Sequence, residues 1–409
     1  MTHQVDIHFR QATWLQAIVI VLASSLTIMG SVMIAALIPK MIQEFAASTP
    51  HFNLLLPLVI TGPALAIALF SPCVGWLIDR LGRKNMLILA TVLYAILGSL
   101  PAFLNDFAHI AISRLCFGLA EAAIMVACST LIADYWKDDA RARFVNFQVI
   151  TIGIVGAIFF VAGGALGEHQ WKLPFYLYLL PLLLIPFMLK YLWEPEKQQV
   201  TQAQMMTENQ SLIRTDIKMV LKNYSLIFFG MILAFIVPVQ APLILAGLDI
   251  QSTTLIGLSA GLGLLASLLG SLLWPIFRHK LHTSGVNIIL LACTALGLYL
   301  FIHAANYSQV LLAVFIHGIG VGMMVPNTML PVMNAVSQSH RGKALGLFTS
   351  SLYLGQFLSP VLISTVMARQ QNLMTAISLF IALAIALCIF LLVVAMLKRS
   401  ASSQAKKSY

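Results

Sequence analysis

Two charged residues, Arg114 and Glu121, stand in the otherwise apolar stretch "IAISRLCFGLAEAAIMVACSTLI". Seven positions correspond to nearly two turns of helix, about 10 Å along one face, which is too far for direct contact along a straight helix. Both side chains can still line one cavity. Burial disfavours a charged carboxylate and a nearby cation favours it, so Glu121 is a candidate site of proton exchange. The alternative is that Glu121 only hydrogen-bonds a neighbouring helix and never titrates.

A second group of candidate residues contains no acidic side chain. His317, in "VFIHGIGVGMMVPN", has an imidazole that could relay a proton or bind substrate. It could equally be a satisfied polar residue between helices. We predict a substrate cavity lined by a set of polar or adaptable side chains: Gln240, Met324, Asn327 and Gln356.

The composition shows what must position these residues. The chain has 409 residues, of which 60% are hydrophobic and 9% charged, and its mean hydropathy is +0.92. Apolar stretches of about 20 residues recur along it, the length that crosses a bilayer. A soluble protein would be charged at roughly a quarter of its positions, so we predict a multi-pass membrane protein in contact with lipid.

The sequence lacks the usual marks of an enzyme. It has no His-rich cluster, HExxH, CxxC or nucleophile elbow, so no catalytic residues are predicted. The five cysteines all lie in apolar runs, and none are paired at metal-ligand spacing. We therefore expect no disulfide framework, no metal and no cofactor.

The predicted fold is an all-α membrane protein with twelve transmembrane helices in two pseudo-symmetric six-helix bundles. The spans are approximately 12–38, 53–78, 85–104, 108–133, 145–167, 173–193, 223–247, 253–277, 286–304, 308–334, 344–367 and 372–397. Residues 1–193 form the first bundle and 223–397 the second. A polar loop, 194–222, joins them, and a tail covers 398–409.

The basic residues predict the orientation. All but four of the 24 Lys and Arg fall in the N-terminus, alternate loops, the central loop and the tail; the exceptions are Lys40, Arg114, Lys172 and Arg369. Basic loops resist translocation, so both termini are predicted to be cytoplasmic. The net charge of +10 thus reflects topology, and no nucleic-acid partner is expected.

A weak internal repeat supports two halves. An offset of 200 residues places Gly118 on Gly318 and Arg141 on Arg341, so a glycine-bearing span precedes a basic loop in both copies. Parallel repeats of six helices are typical of transporters that rock two bundles around a site near the midplane.

The turn "GWLIDRLGRKNML", residues 75–87, concentrates charge between two spans. Gly82 permits a tight reversal, while Arg83 and Lys84 are expected to face water or a carboxylate at the end of a neighbouring span. These features suit a latch between helices. The alternative is that the basic residues only enforce topology.

This turn resembles the cytoplasmic loop signature of the major facilitator superfamily, G-x-x-x-D-R-x-G-R-K. The matching positions are Gly75, Asp79, Arg80, Gly82, Arg83 and Lys84. The resemblance implies the major facilitator fold. It also implies that Asp79 meets the start of span eleven near residues 341–345 and that an arginine meets Asp134, closing the cytoplasmic side of the outward-facing state.

Span four also resembles a family signature. "RLCFGLAEA" places Arg114 and Gly118 in the R-x-x-x-G pattern of many proton-coupled exporters, which implies that Arg114 biases the protonation of a nearby carboxylate. In span five, "FFVAGG" has phenylalanines where drug:proton antiporters of the family have Gly-Pro. The exporter signature is therefore partial.

From these patterns we predict a secondary active transporter in a bacterial inner membrane. Its substrate is a small organic solute, such as a drug, a metabolite or a siderophore-like chelator, and protons are the coupling ion. Export is favoured over uptake by symport. The alternative from another class is a membrane sensor on the same scaffold, and the expected oligomeric state is a monomer.

Overall fold

The computed structural model describes residues 12–32, 34–136, 138–195, 216–336, 341–370 and 372–407, and their regular structure is entirely helical. The first half contains α1 (Trp14–Ser24), α2 (Leu26–Val32), a 3-10 helix (Ala35–Leu37), α3 (Ile38–Phe45), α4 (Phe52–Leu81), α5 (Arg83–Ser99), a 3-10 helix (Leu100–Ala102), α6 (Phe107–Tyr135), α7 (Asp138–His169), a 3-10 helix (Leu173–Leu184) and α8 (Ile185–Tyr191). The second half contains α9 (Ile217–Ala246), α10 (Thr253–Ile302), α11 (Tyr307–Ala335), α12 (Arg341–Gln370) and α13 (Leu373–Lys407).

Eleven segments within the described ranges are long and apolar enough to cross a membrane, against the twelve predicted. The difference lies in α10, whose 50 residues would make a straight helix about 75 Å long, more than twice the hydrocarbon thickness. His282 interrupts it with a non-helical φ of 54° and ψ of 178°. The predicted spans 253–277 and 286–304 lie on either side of this residue.

The first span is not the single helix expected over 12–38. It is broken at Ser25 and extends, through α2 and a 3-10 turn, to Phe45. The Ser24 hydroxyl donates to the Ile20 carbonyl at 2.8 Å, and the Ser25 hydroxyl donates to the Leu22 carbonyl at 2.7 Å. Such bonds draw backbone acceptors away from the regular helical pattern, which is a common cause of local bending.

The two halves contain the same close contact between two helices, at equivalent positions of the repeat. A Cβ on Gly118 of α6 would lie 2.6 Å from the backbone of Pro63 and 2.8 Å from the Ala66 Cβ, both in α4. In the second half a Cβ on Gly318 would lie 2.6 Å from the Gly263 carbonyl and 2.7 Å from the Ala266 Cβ. Each of these residues is 200 positions after its counterpart, so the same helix crossing recurs in both halves.

The two halves meet along two seams. In one, α7 packs on the first part of α10, where the Thr253 hydroxyl donates to the Gly164 carbonyl at 2.6 Å. In the other, α4 packs on α12, and the Ser350 hydroxyl donates to the Ala68 carbonyl at 2.8 Å. We call the end of the molecule that carries Glu168 the Glu168 end, and the opposite end, with the turn at Gly82, the turn end.

Candidate functional site

Arg114 and Glu121 converge on one peptide group of the first span. Arg114 is fully buried, and its Nη2 donates a hydrogen bond to the Gly30 carbonyl. The Glu121 carboxyl lies on the same residue, because a Cβ on Gly30 would stand 2.5 Å from Oε2 and 2.7 Å from Oε1. The two side chains therefore share one site, although they lie nearly two turns apart on α6.

Aromatic rings enclose the arginine. Its guanidinium carbon lies 4.1 Å from the ring centroid of Phe117 and 5.4 Å from that of Tyr178. A desolvated cation–π contact of this kind contributes about 2 kcal/mol. The hydroxyl of Tyr178 donates to the Met29 carbonyl at 2.9 Å, and the hydroxyl of Tyr94 donates to the Leu26 carbonyl at 2.7 Å. These rings thus hold both Arg114 and α2.

The pair also holds most of the unpartnered polar atoms in the described interior. Buried side-chain atoms with no hydrogen-bond partner there are Arg114 Nε and Nη1, Glu121 Oε2 and Arg278 Nη1. An unpaired charged group inside a membrane costs several kcal/mol, so its presence indicates function. Three of the four atoms belong to Arg114 and Glu121.

One residue of the second half reaches this site. The Tyr353 hydroxyl of α12 lies 3.4 Å from the sulfur of Met125, which is one turn beyond Glu121 on α6. The second half therefore comes within about one helical turn of Glu121.

His317 has a different environment. It is buried, and its Nε2 donates to the Leu233 carbonyl at 3.2 Å. Its backbone packs against Gly297 of α10. Among the described residues these contacts are all in the second half, and the structure does not join His317 to Arg114 and Glu121.

The four residues predicted to line one cavity lie in different environments. Gln240 lines a cavity of about 220 Å³ between the halves, and Gln356 is buried on α12. Met324 packs against Gly230. Asn327 accepts from the Trp274 indole at 3.0 Å. Its own amide nitrogen donates to the carbonyl of Thr283 at 3.1 Å and the side-chain oxygen of Asn287 at 2.6 Å, which ties α10 to α11.

At the turn end, Arg83 forms an ion pair with Asp134 at the end of α6. Gly82 has a φ of 92°, a conformation that residues with a Cβ rarely adopt. The Arg80 guanidinium carbon lies 3.9 Å from the centroid of the Trp76 ring. The side chain of Asp79 lies outside the described part of the structure.

Glu194 is a partner of the turn that the sequence did not indicate. Its carboxylate accepts from the backbone N–H of Arg83 at 2.6 Å and of Lys84 at 2.9 Å, capping α5. A carboxylate is favoured at a helix N-terminus. The sequence placed Glu194 at the start of a linker without a role. The one available signal is that Gly82, which precedes α5, has no side chain to cap the helix, so the cap must come from another part of the chain.

Glu168 makes a second unexpected cap, this time between the halves. Its carboxylate accepts from the Ser252 hydroxyl at 3.1 Å, the Thr253 hydroxyl at 2.9 Å and the Thr254 backbone N–H at 3.0 Å. The Thr254 hydroxyl adds a bond of 3.2 Å. The first half therefore caps the start of α10 in the second half and joins the two halves at the Glu168 end.

Comparison with known proteins agrees with this architecture. The profile of the Major Facilitator Superfamily matches residues 20–360 and 228–408. The tetracycline resistance protein, class H, of Pasteurella multocida is 25% identical over 357 residues, 84% of this chain and 87% of that protein. The cis,cis-muconate transport protein of Acinetobacter baylyi is 26% identical over 158 residues, which span only 38% of this chain and 37% of that protein.

A solved structure, that of a D-xylose-proton symporter, superposes with a TM-score of 0.78 at 17% sequence identity, covering 92% of this chain and 97% of the symporter. At this identity the likeness concerns the fold. The chain belongs to the Major Facilitator Superfamily and is a multi-pass membrane transporter. The resemblance to the major facilitator superfamily that was identified from the loop motif is thereby confirmed.

Proposed function

We propose that this transporter exports a small organic solute across a bacterial inner membrane in exchange for protons. The observation that carries the proposal is the buried Arg114–Glu121 pair on Gly30, with its unpartnered nitrogens and carboxylate oxygen. Glu121 carries the proton, and Arg114 biases its charge. His317 is the second candidate for the proton relay, although its described contacts lie in the second half, away from Arg114 and Glu121.

The proposed topology has twelve spans, with the turn end and both termini cytoplasmic. The break at His282 divides α10 into two spans, and basic residues mark the turn end. The two bundles, 1–193 and 223–397, then rock around the seams that join α7 to α10 and α4 to α12. We propose that the transporter acts as a monomer.

A relative supports export, and the lining of the cavity bears on the kind of solute. The tetracycline resistance protein that aligns over 84% of this chain is named for resistance to a drug. Uptake by symport is the alternative, and a proton symporter shares the fold. The cavity between the halves is lined mainly by apolar side chains, with Gln240 and Ser364 as polar groups. Such a lining favours an amphipathic solute.

Alternating access requires that the Glu168 end open. In this conformation Glu168 and the start of α10 hold that end closed, while a Cβ on Gly75 or Gly346 would meet nothing within 4 Å. We propose that this state is closed to the outside. Asp79 and its neighbours in the turn latch the opposite, outward-facing state, whereas the Arg83–Asp134 pair lies within the first half and is already formed in the present state.

Glu168→Gln and Asp79→Asn should therefore shift the conformational population in opposite directions. Glu168→Gln weakens the hydrogen bonds to a charged acceptor, and a loss of about 1 kcal/mol changes the population ratio about fivefold toward the state open at the Glu168 end. Asp79→Asn should lower the population of the state that is open at the Glu168 end. Spin labels at Gln170 and Gln251, one on each half, report the opening as a longer distance in pulsed EPR spectra.

Glu44→Gln is the matched control for this experiment. Glu44 accepts from the Trp171 indole at the same end, but both residues are in the first half. The control should leave the distance distribution unchanged. Equal distributions for Glu168→Gln and wild type would remove Glu168 from the closing contact, and no effect of Asp79→Asn would reduce the turn to a topology signal.

Reconstitution in liposomes with an internal pH dye tests the proposed function. A panel of lipophilic cations, neutral drugs, organic acids and chelators is imposed as gradients on the wild-type protein. We expect one amphipathic class to drive protons in the direction opposite to its own movement. Movement of solute and protons in the same direction would establish symport instead, and flux without protons would exclude proton coupling.

A further inference from the structure

We propose that Gly30 is a positioning residue for proton coupling, because only a residue without a side chain lets the Glu121 carboxyl and the Arg114 guanidinium reach the same point of the first span. This inference rests on the proposed function of Glu121. It concerns a residue with no titratable group, whose role is visible only in three dimensions.

A side chain at position 30 would have to displace the Glu121 carboxyl. An added Cβ would lie 2.5 Å from Glu121 Oε2, 2.7 Å from Oε1 and 2.8 Å from Cδ. These separations are shorter than van der Waals contact by several tenths of an ångström, so the carboxyl would have to move. Because all three atoms belong to the reacting group itself, the displacement falls on the proton-carrying atoms.

The same residue also holds the cation. The Gly30 carbonyl accepts from Arg114 Nη2, and among the atoms described for Arg114 the Nε and Nη1 groups have no partner. An ionised Glu121 therefore faces an arginine that still has free donors. After protonation the carboxyl no longer attracts those donors, and the Gly30 carbonyl remains the hydrogen-bond partner of the guanidinium. Gly30 thus sets the relative position of the two groups in both charge states.

Gly30 lies on a segment that can transmit this change. It is in α2, between the break at Ser25 and the 3-10 turn that begins at Ala35. The hydroxyls of Tyr94 and Tyr178 fix the carbonyls of Leu26 and Met29 on the same short helix. A movement of α2 relative to α6 therefore changes the surroundings of Arg114 and Glu121 together.

The titratable and charged groups around Glu121 come from several elements. Arg114 is on its own helix, Tyr94 is on α5, Tyr178 is on the 3-10 helix that begins at Leu173, and Tyr353 is on α12. None of these belongs to the first span. The first span contributes the Gly30 peptide, which makes its shape, rather than its charge, the property to be tested.

The test combines Gly30→Ala with a shorter acid. Gly30→Ala should lower substrate-driven proton flux by about tenfold or more, since displacement of reacting groups by about 1 Å is costly. Glu121→Asp removes one methylene and makes room for the new methyl group. The double variant Gly30→Ala/Glu121→Asp should therefore recover flux relative to Gly30→Ala, and it should restore the pH profile of transport toward that of Glu121→Asp alone.

Gly346→Ala is the matched control, because a Cβ there meets nothing within 4 Å. Its thermal stability should equal that of wild type. If Gly30→Ala does not fold, the double variant must restore folding as well as flux. Wild-type flux in Gly30→Ala, or a double variant no better than Gly30→Ala, would overturn the inference.

The inference and the proposed function fail in different ways. If Glu121→Gln abolishes proton flux but Gly30→Ala does not change it, proton coupling through Glu121 stands and the role of Gly30 falls. If proton flux survives Glu121→Gln, both fall. Recovery of thermal stability without recovery of flux in the double variant would show that Gly30 acts in packing alone, which also contradicts the proposal.

Discussion

Glu121→Gln should reduce substrate-driven proton movement to that of protein-free liposomes while the protein stays folded. The amide has nearly the shape of the carboxyl, so it fits against Gly30, but it carries no exchangeable carboxyl proton. Removing one partner of a buried charged pair is commonly destabilising, but Arg114 keeps the Gly30 carbonyl and the rings of Phe117 and Tyr178, so the protein should stay folded. Proton flux is followed with an internal pH dye, and solute movement is measured separately with labelled solute.

The comparison with Glu121→Asp separates charge from shape. Asp retains a titratable group in the same pocket and should keep measurable coupling, whereas Gln should not. Proton flux that persists at the wild-type level in Glu121→Gln would move the coupling site to another residue, and His317 would be examined next by His317→Gln. Solute movement without protons in Glu121→Gln would be the expected signature of an uncoupled carrier.

Gly118→Leu and Gly318→Leu should each prevent stable folding. A Cβ at either position would lie 2.6 Å from backbone atoms of the facing helix, which cannot move aside as a flexible side chain can. Overpacking of a dense interior commonly costs about 1–3 kcal/mol, and a rigid backbone neighbour places these variants at the upper end or beyond. Fluorescence-detected size-exclusion chromatography and thermal unfolding in detergent measure the loss.

Gly346→Leu is the control for this pair, because its Cβ position faces open space. It should elute as a single species and unfold at a temperature near that of wild type. Tolerance of Gly318→Leu but not of Gly118→Leu would contradict this prediction. It would mean that the helices pack less tightly at the crossing in the second half than at the equivalent crossing in the first.

Hydropathy was sufficient to predict most of the membrane helices, because the bilayer imposes one requirement on every span. It did not predict the break at Ser25. That feature depends on the backbone carbonyl to which the Ser25 hydroxyl donates. It also depends on hydrogen bonds from tyrosines of α5 and of the 3-10 helix beginning at Leu173, which are distant in the sequence. The interruption of α10 falls in the gap expected between spans 253–277 and 286–304, where His282 takes a non-helical backbone conformation.

The chemistry was predictable where one helix carries it. Arg114 and Glu121 could be selected because charge is rare inside a span. Their meeting point could not, since Gly30 lies 84 residues from Arg114 in the chain. The caps made by Glu194 and Glu168 were missed for the same reason, because each depends on a helix N-terminus brought from a distant segment.

The helix crossing that occurs in both halves shows that the two halves share the same packing but not the same chemical groups. Gly118 and Gly318 keep equal contacts 200 residues apart, yet the positions that match Arg114 and Glu121 are Val314 and Val321. The contact position of the repeated helix therefore preserves the scaffold, while positions one turn before and one turn after it on the same face are free to gain or lose ionisable groups. A change of coupling ion or solute can then evolve in one half without altering the helix crossing on which both halves depend.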